Sequence, residues 1–217
     1  MTYAERVRVH MARYKREVLG IEEDGVYARD GRPRPHILPP AYRELTIIET
    51  YRSWFWNWYA NEGRASGLDL REDVRHLTSS QALCLNLFVP FVAWHRMDDL
   101  PVLLGAQFAC AGAPDDWGFE HVLDHDEQTT FDFYARWKDA GAVCVEVKYA
   151  ESGFGTAEPN AARLEKLRTI YRPRLAPLVA AEYLEESTFV AVHGPDGSND
   201  GARAPAKCAC TASTRNW

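Results

Sequence analysis

Phe131-Asp132-Phe133-Tyr134, a turn at Lys138-Asp139-Ala140-Gly141, and then Val143-Cys144-Val145-Glu146-Val147-Lys148 form the stretch on which the fold turns. Apolar and polar side chains alternate on both sides of the turn, the signature of two strands with one face in a core. Val143, Val145 and Val147 share one face, and Cys144, Glu146 and Lys148 the other. Phe131 and Phe133 are expected to face the core, with Asp132 and Tyr134 facing away. Such a hairpin brings Asp132, Glu146 and Lys148 to one side of a sheet.

Two acids and a lysine in that arrangement are the minimum needed to hold a hard divalent cation and activate a water at phosphate. Asp132 and Glu146 are the candidate ligands, with the Val147 carbonyl as a third. Mg²⁺ suits them, with Mn²⁺ as a substitute. Lys148 would orient or help deprotonate the attacking water and offset developing charge. The geometry sets a condition. Asp132 must sit opposite Glu146 or Lys148, since opposed residues share a face. A three-residue loop Asp139-Ala140-Gly141, with Gly141 in the left-handed region, would set Asp132 opposite Lys148. A two-residue loop at Asp139-Ala140 would turn it to the wrong face.

The 217 residues suit one domain, and a hydrophobic share of 46% fills a sizeable core. A net charge of −6 excludes a global basic field that would recruit nucleic acid, though not local basic patches. The five cysteines show no CxxC spacing, so reduced thiols in a cytoplasmic protein are the expectation. The first residues lack the apolar run of a signal peptide, and no stretch approaches a membrane span.

Working outward, residues 3–18 read as an amphipathic helix with Val7, Met11, Tyr14 and Val18 on its apolar stripe. Arg6, Arg8, Arg13, Lys15 and Arg16 make a solvated basic face. Residues 20–40 are a Gly/Pro loop. Residues 41–61 read as one helix with a stripe of Leu45, Ile48, Tyr51, Phe55 and Trp58, flanked by Trp54 and Trp56; so rich an aromatic helix is read as core rather than a ligand cage. Ser79 or Thr78 caps a helix that is apolar nearly all round, with Pro90 bending or interrupting it. Asn86 in that company needs a hydrogen-bond partner or a cleft. Residues 119–123 read as a strand and 124–128 as an acidic turn. A later helix, split at Pro173, carries Arg163, Lys166, Arg168 and Arg172, a dense basic face and the candidate contact to nucleic acid; a solvated face is its plainer reading. Residues 189–217 read as a disordered tail.

Several segments agree, in order, with a known pattern. Ser79-Ser80-Gln81 and Asn86-Leu87-Phe88 precede the hairpin; Glu146-Val147-Lys148-Tyr149-Ala150-Glu151 and Gly153-Phe154-Gly155 follow it. Together with Asp132 they resemble the PD-(D/E)XK nucleases, and more closely a bacterial family of restriction-endonuclease-like proteins, over roughly His36 to Thr188. The resemblance implies an α/β fold: a small central mixed β-sheet flanked by helices, with a helical N-terminal region. It implies a core domain at 41–188, after an N-terminal helix and loop at 1–40. It implies hydrolysis of phosphodiester bonds, in DNA, with Asp132, Glu146 and Lys148 as catalytic positions and Glu120 as an added metal-binding acid. Gln81 and Glu151 match motif positions without an assigned role. A homodimer is left open. Where the family continues with another strand and helix, this chain has Gly194-Pro195-Asp196-Gly197-Ser198-Asn199, read here as a truncated or frame-shifted C-terminus.

Two other readings compete. Glu120, His121, Asp124, His125 and Asp126 could form a zinc hydrolase site if His121 and His125 lay one turn apart on a helix. Alternatively, the chain is a non-catalytic module that binds nucleic acid or protein through the basic helix. Cys208 and Cys210 are a weaker metal-binding pair.

Overall fold

The computed structural model describes residues 1–106, 108, 110, 112–124, 129–150, 165 and 169. Those up to Ala150 belong to one unit, and Glu165 and Thr169 to a second. The basic face at 163–172, Glu151, the Cys208-Cys210 pair and the 189–217 tail lie outside the described residues.

Thr2 opens helix α1 (Tyr3–Glu17) with a capping box. Its hydroxyl accepts the Glu5 N–H at 3.2 Å, and its own N–H donates to Glu5 Oε2 at 2.6 Å. Amides that a helix start leaves unpaired are thereby satisfied. Met11 and Tyr14 pack on a small cluster of Ile21, Leu38 and Leu77. Val18, expected on this stripe, is exposed, because the helix has ended and the chain turns at Gly20 with φ +67°. Lys15, expected on the solvated face, is fully buried. The loop after the helix folds back over it, and its ammonium donates to the Glu23 carbonyl at 2.7 Å and Asp24 Oδ1 at 2.6 Å. Within the expected loop, β1 (Gly25–Val26) pairs with β2 (Pro33–Arg34).

The expected helix over 41–61 is broken in three. A 3₁₀ segment (Pro40–Thr46) precedes helix α2 (Glu49–Trp58), which ends in a π-helical turn (Tyr59–Gly63). The first break is tertiary in origin. Asn86, from the next helix, accepts the Ile48 N–H at 2.8 Å and donates to the Thr46 carbonyl at 2.8 Å, holding Ile47 and Ile48 extended. Ile48 is therefore exposed, while Phe55 reaches the centre of the main core.

Helix α3 (Ser80–Ala93) is capped by Ser79 and buries Ala82, Cys84, Leu85, Phe88 and Val89, as an all-round apolar helix should. It runs through Pro90 without interruption. Pro90 forgoes one N–H bond a turn from the helix end, and its own carbonyl still accepts the Trp94 N–H. The short helix α4 (Leu100–Leu103) follows.

The sheet comprises β3 (Asp116–Asp124), β4 (Thr129–Trp137) and β5 (Gly141–Val145) in the order β3-β4-β5. Both pairings are antiparallel, as short connections dictate, so the expected mixed sheet is not formed by the described residues. The core face of the sheet rests on α3, where Phe88 stacks on Phe133 with centroids 4.3 Å apart. Tyr134, expected to face away, is buried because His121 stacks on its ring at 4.7 Å.

The β4–β5 loop is three residues long, as expected, but displaced by one position. It spans Lys138–Ala140, with Trp137 paired to Gly141 and Asp139 taking the left-handed conformation, φ 59°. Gly141 is needed for space instead: a Cβ there would stand 2.8 Å from the Phe108 ring. Among the described residues, no helix is long and apolar enough to cross a membrane, and Cys84, Cys110 and Cys144 are free thiols.

Candidate active site at the end of the hairpin

The β4–β5 register settles the face of Asp132. Phe133 pairs with Val145, and one further step sets Asp132 against Glu146 rather than Lys148. On the other side, Phe119↔Phe133 and His121↔Phe131 bracket Glu120 and Asp132. Glu120, Asp132 and Glu146 thus occupy one row across the sheet, at the point where β5 leaves it.

Glu120 sits in the row with a left-handed backbone, φ 49°, a conformation that costs a non-glycine residue about 1 kcal/mol or more. Its effect is visible in its neighbours. Phe119 packs into the core against Phe133, while His121 turns to the other face and stacks on Tyr134. Both Glu120 oxygens are engaged: Arg71 NH2 lies 2.7 Å from Oε2, and Gln81 Nε2 donates to Oε1 at 3.1 Å. The Arg71 guanidinium is held charged. Burial, the largest influence, opposes its charge, and Glu120, Asp73 and Asp132 together outweigh it.

Asp132 is half-buried. Its Oδ2 accepts the Val147 N–H at 2.6 Å, and its backbone carbonyl accepts the thiol of Cys84 at 3.3 Å. Burial raises its carboxyl pKa and the charges of Glu146 and Glu120 add to the rise; the Val147 N–H and the Lys148 ammonium oppose without cancelling it. Beneath it, burial pushes the Cys84 thiol far up, reinforced by Asp132, Glu120 and Glu146, so it stays protonated. Lys148 pairs with Glu146.

The motif residues of α3 prove to be what holds this row together. Ser79 caps the helix. Ser80 Oγ accepts the Tyr149 N–H at 3.1 Å, anchoring the chain just past Lys148. Gln81, buried, binds Glu120 and also joins the Asp69 carbonyl (2.9 Å) to the Arg71 N–H (3.1 Å). Asn86 clamps the start of α2, and Phe88 stacks under β4. Asn86 is thus a structural clamp. Arg71 is the functional candidate that pattern reading missed; its partner lies 49 residues on, and no local signal joins them.

Among the described residues no group of three or more His, Cys, Asp or Glu side chains is placed to hold a metal ion. With Glu120 turned to Arg71 and Gln81, Asp132 and Glu146 are the pair left to meet a cation, and one or two carboxylates with several waters is what Mg²⁺ takes. The burial that raises the Asp132 carboxyl, with the charges of Glu146 and Glu120 adding to it, is the setting in which a cation would be favoured. The helix that the zinc arrangement requires is not formed over 121–124, which lie in β3. His125 and Asp126 lie outside the described residues.

A small antiparallel sheet backed by a buried helix is consistent with a restriction-endonuclease-like core. The chain belongs to the family described as restriction endonuclease associating with ARP, which matches residues 8–192. No curated protein and no solved structure matches it.

Proposed function

We propose that this chain is a metal-dependent endonuclease that hydrolyses phosphodiester bonds in DNA by a PD-(D/E)XK mechanism. The observation that carries this reading is the row Glu120–Asp132–Glu146 with Lys148 beside it, in a family of restriction endonucleases. Asp132 and Glu146 would hold Mg²⁺ or Mn²⁺, with the Val147 carbonyl as a further oxygen. The bound ion would position and acidify a water and neutralise charge on the phosphate.

The chain's own residues do the rest. Val147 orients the Asp132 carboxylate through its N–H. Lys148 directs the attacking water and offsets the charge that develops as the P–O bond breaks. Gln81 and Arg71 fix Glu120 in the row beside Asp132. Arg163, Lys166, Arg168 and Arg172 would take backbone phosphates of the DNA.

A cleavage assay on duplex and single-stranded DNA with Mg²⁺, Mn²⁺ or EDTA tests the proposal. Asp132→Ala and Lys148→Ala should each reduce the rate about a hundredfold or more. Cleavage that survives both substitutions sinks the mechanism.

A further inference from the structure

The aromatic residues of α2 do more than fill the core. A cleft of about 410 Å³ opens beside them, lined among others by Trp54, Trp58, Trp117, Asn61, Glu62 and His95. That volume is in the range of small-ligand sites. Trp54 and Trp58, one turn apart on α2, stack with centroids 5.8 Å apart and 7° between planes. Trp58 in turn stacks on Trp117 of β3 at 6.0 Å and 26°. All three indoles are only partly buried.

The backbone packs closely around the platform. Gly63 lets the π-helical turn pass directly over Trp58, where a Cβ would come within 3.1 Å of the ring. On the other wall, His95 occupies the left-handed position that ends α3, φ 53°, with Arg96 N–H bonded to Phe91 O and His95 N–H to Val92 O. Glycine is the usual residue there, yet this chain places an imidazole that lines the cleft.

The ring geometry selects the ligand. A cage for an alkylammonium ion surrounds the charge with aromatic faces from several sides. Indoles stacked on one another through Trp58 instead form a column at the cleft wall, which a flat π-system can extend. The rim adds hydrogen-bond acceptors. Asn61 is exposed, with its Nδ2 engaged by the Asn57 carbonyl at 2.7 Å, and Glu62 is exposed beside it. Such groups accept from the N–H edge of a nucleobase. Trp117 stands three residues from Glu120 on β3, about 10 Å along the strand.

We propose that this cleft binds an unstacked nucleobase, so that the chain acts on single-stranded or base-extruded nucleic acid. The ligand class rests on the nuclease reading above; the platform itself does not.

The test uses the full chain in EDTA, so that binding is read without cleavage. A labelled single-stranded oligonucleotide is titrated by anisotropy, and the same strand unlabelled by tryptophan emission, each beside the matching blunt duplex. The expected result is tighter binding of the single strand, with quenching of indole emission. Trp54→Ala should weaken single-strand binding about tenfold or more, and Trp54→Phe, which keeps a stacking face, should recover most of it. The quenching on wild type needs no variant, so it stands even if Trp54→Ala unfolds. Single-strand binding without quenching overturns the proposal, as does a folded Trp54→Ala chain that binds like wild type. Metal-dependent cleavage of duplex alongside unquenched emission overturns this inference and leaves the nuclease reading intact. Quenched binding with no cleavage under any metal does the reverse.

Discussion

Lys15 and Asp132 are both charged groups drawn out of water, and the protein treats them in opposite ways. Lys15 is sealed at 0% exposure with two oxygens on its ammonium, and Asp24 is shared with Arg16. Its charge is balanced locally and it ties α1 to the loop that follows. Asp132 is half-buried between two other acids, with one amide on its carboxylate and an ammonium that already serves Glu146. A balanced buried charge is architecture. The charge of Asp132, set beside two further acids, is where the proposed cation would sit.

The sharpest way to break this contrast is Asp132→Asn. It keeps the shape and an acceptor for the Val147 N–H. Cleavage should fall about a hundredfold or more, while thermal denaturation should show Tm unchanged or raised by about 1–4 °C. A carboxyl whose pKa is raised in the folded state binds its proton more tightly folded than unfolded. Stability therefore declines as pH rises from the ordinary carboxylate value through the raised one, and the amide removes that decline. A clear loss of stability in Asp132→Asn would show that its charge is structural after all.

Lys15→Met should behave in the opposite way. Losing the buried ammonium strands its acceptors, at about 3 kcal/mol in chemical denaturation, toward the low end because Asp24 keeps Arg16. Next comes Gln81→Leu, which leaves the Asp69 carbonyl, the Arg71 N–H and one Glu120 oxygen without their partner. About 1–3 kcal/mol is expected, with a fall in cleavage rate at unchanged substrate binding, because Glu120 is then free to leave the row.

The smallest effect separates the two regions by pH. His36, near α1, is held down to about 4 by burial first and then by the charges of Arg8, His76, Arg34 and Lys15. Between the ordinary histidine value and about 4, the unfolded chain takes a proton that the folded one refuses. Its contribution is complete above that ordinary value and is lost as pH falls through the window. His36→Gln should flatten the acid limb of a Tm-versus-pH curve. Asp132→Asn should change the curve with the opposite slope.

Much of the hairpin was legible because alternation is local. The register class, the odd loop and the shared face of Asp132 and Glu146 follow from residues a few positions apart. The loop still slipped by one, because Gly141 is required by Phe108 across the core and not by turn geometry. What stayed hidden was tertiary. Nothing near Lys15 announces the carbonyl of Glu23 above it, and nothing near Glu120 announces Arg71. The signal that could have led further was Gln81 and Asn86 themselves. Polar side chains in an otherwise apolar helix must find partners, and theirs turned out to be the acid row and the break before α2.

Val147 carries a last consequence. Where β5 ends, the next amide toward β4 is met by a side-chain carboxylate in place of a backbone carbonyl. The chain segment that bears Glu146 and Lys148 is therefore fastened to the sheet by the carboxylate that the proposed cation would use. By thermodynamic reciprocity, a ligand on that carboxylate and the strength of its bond to the Val147 amide act on each other equally. Order in the backbone at 146–148 and occupancy of the site are two readings of one equilibrium, and the exchange rate of a single proton, on Val147, reports both.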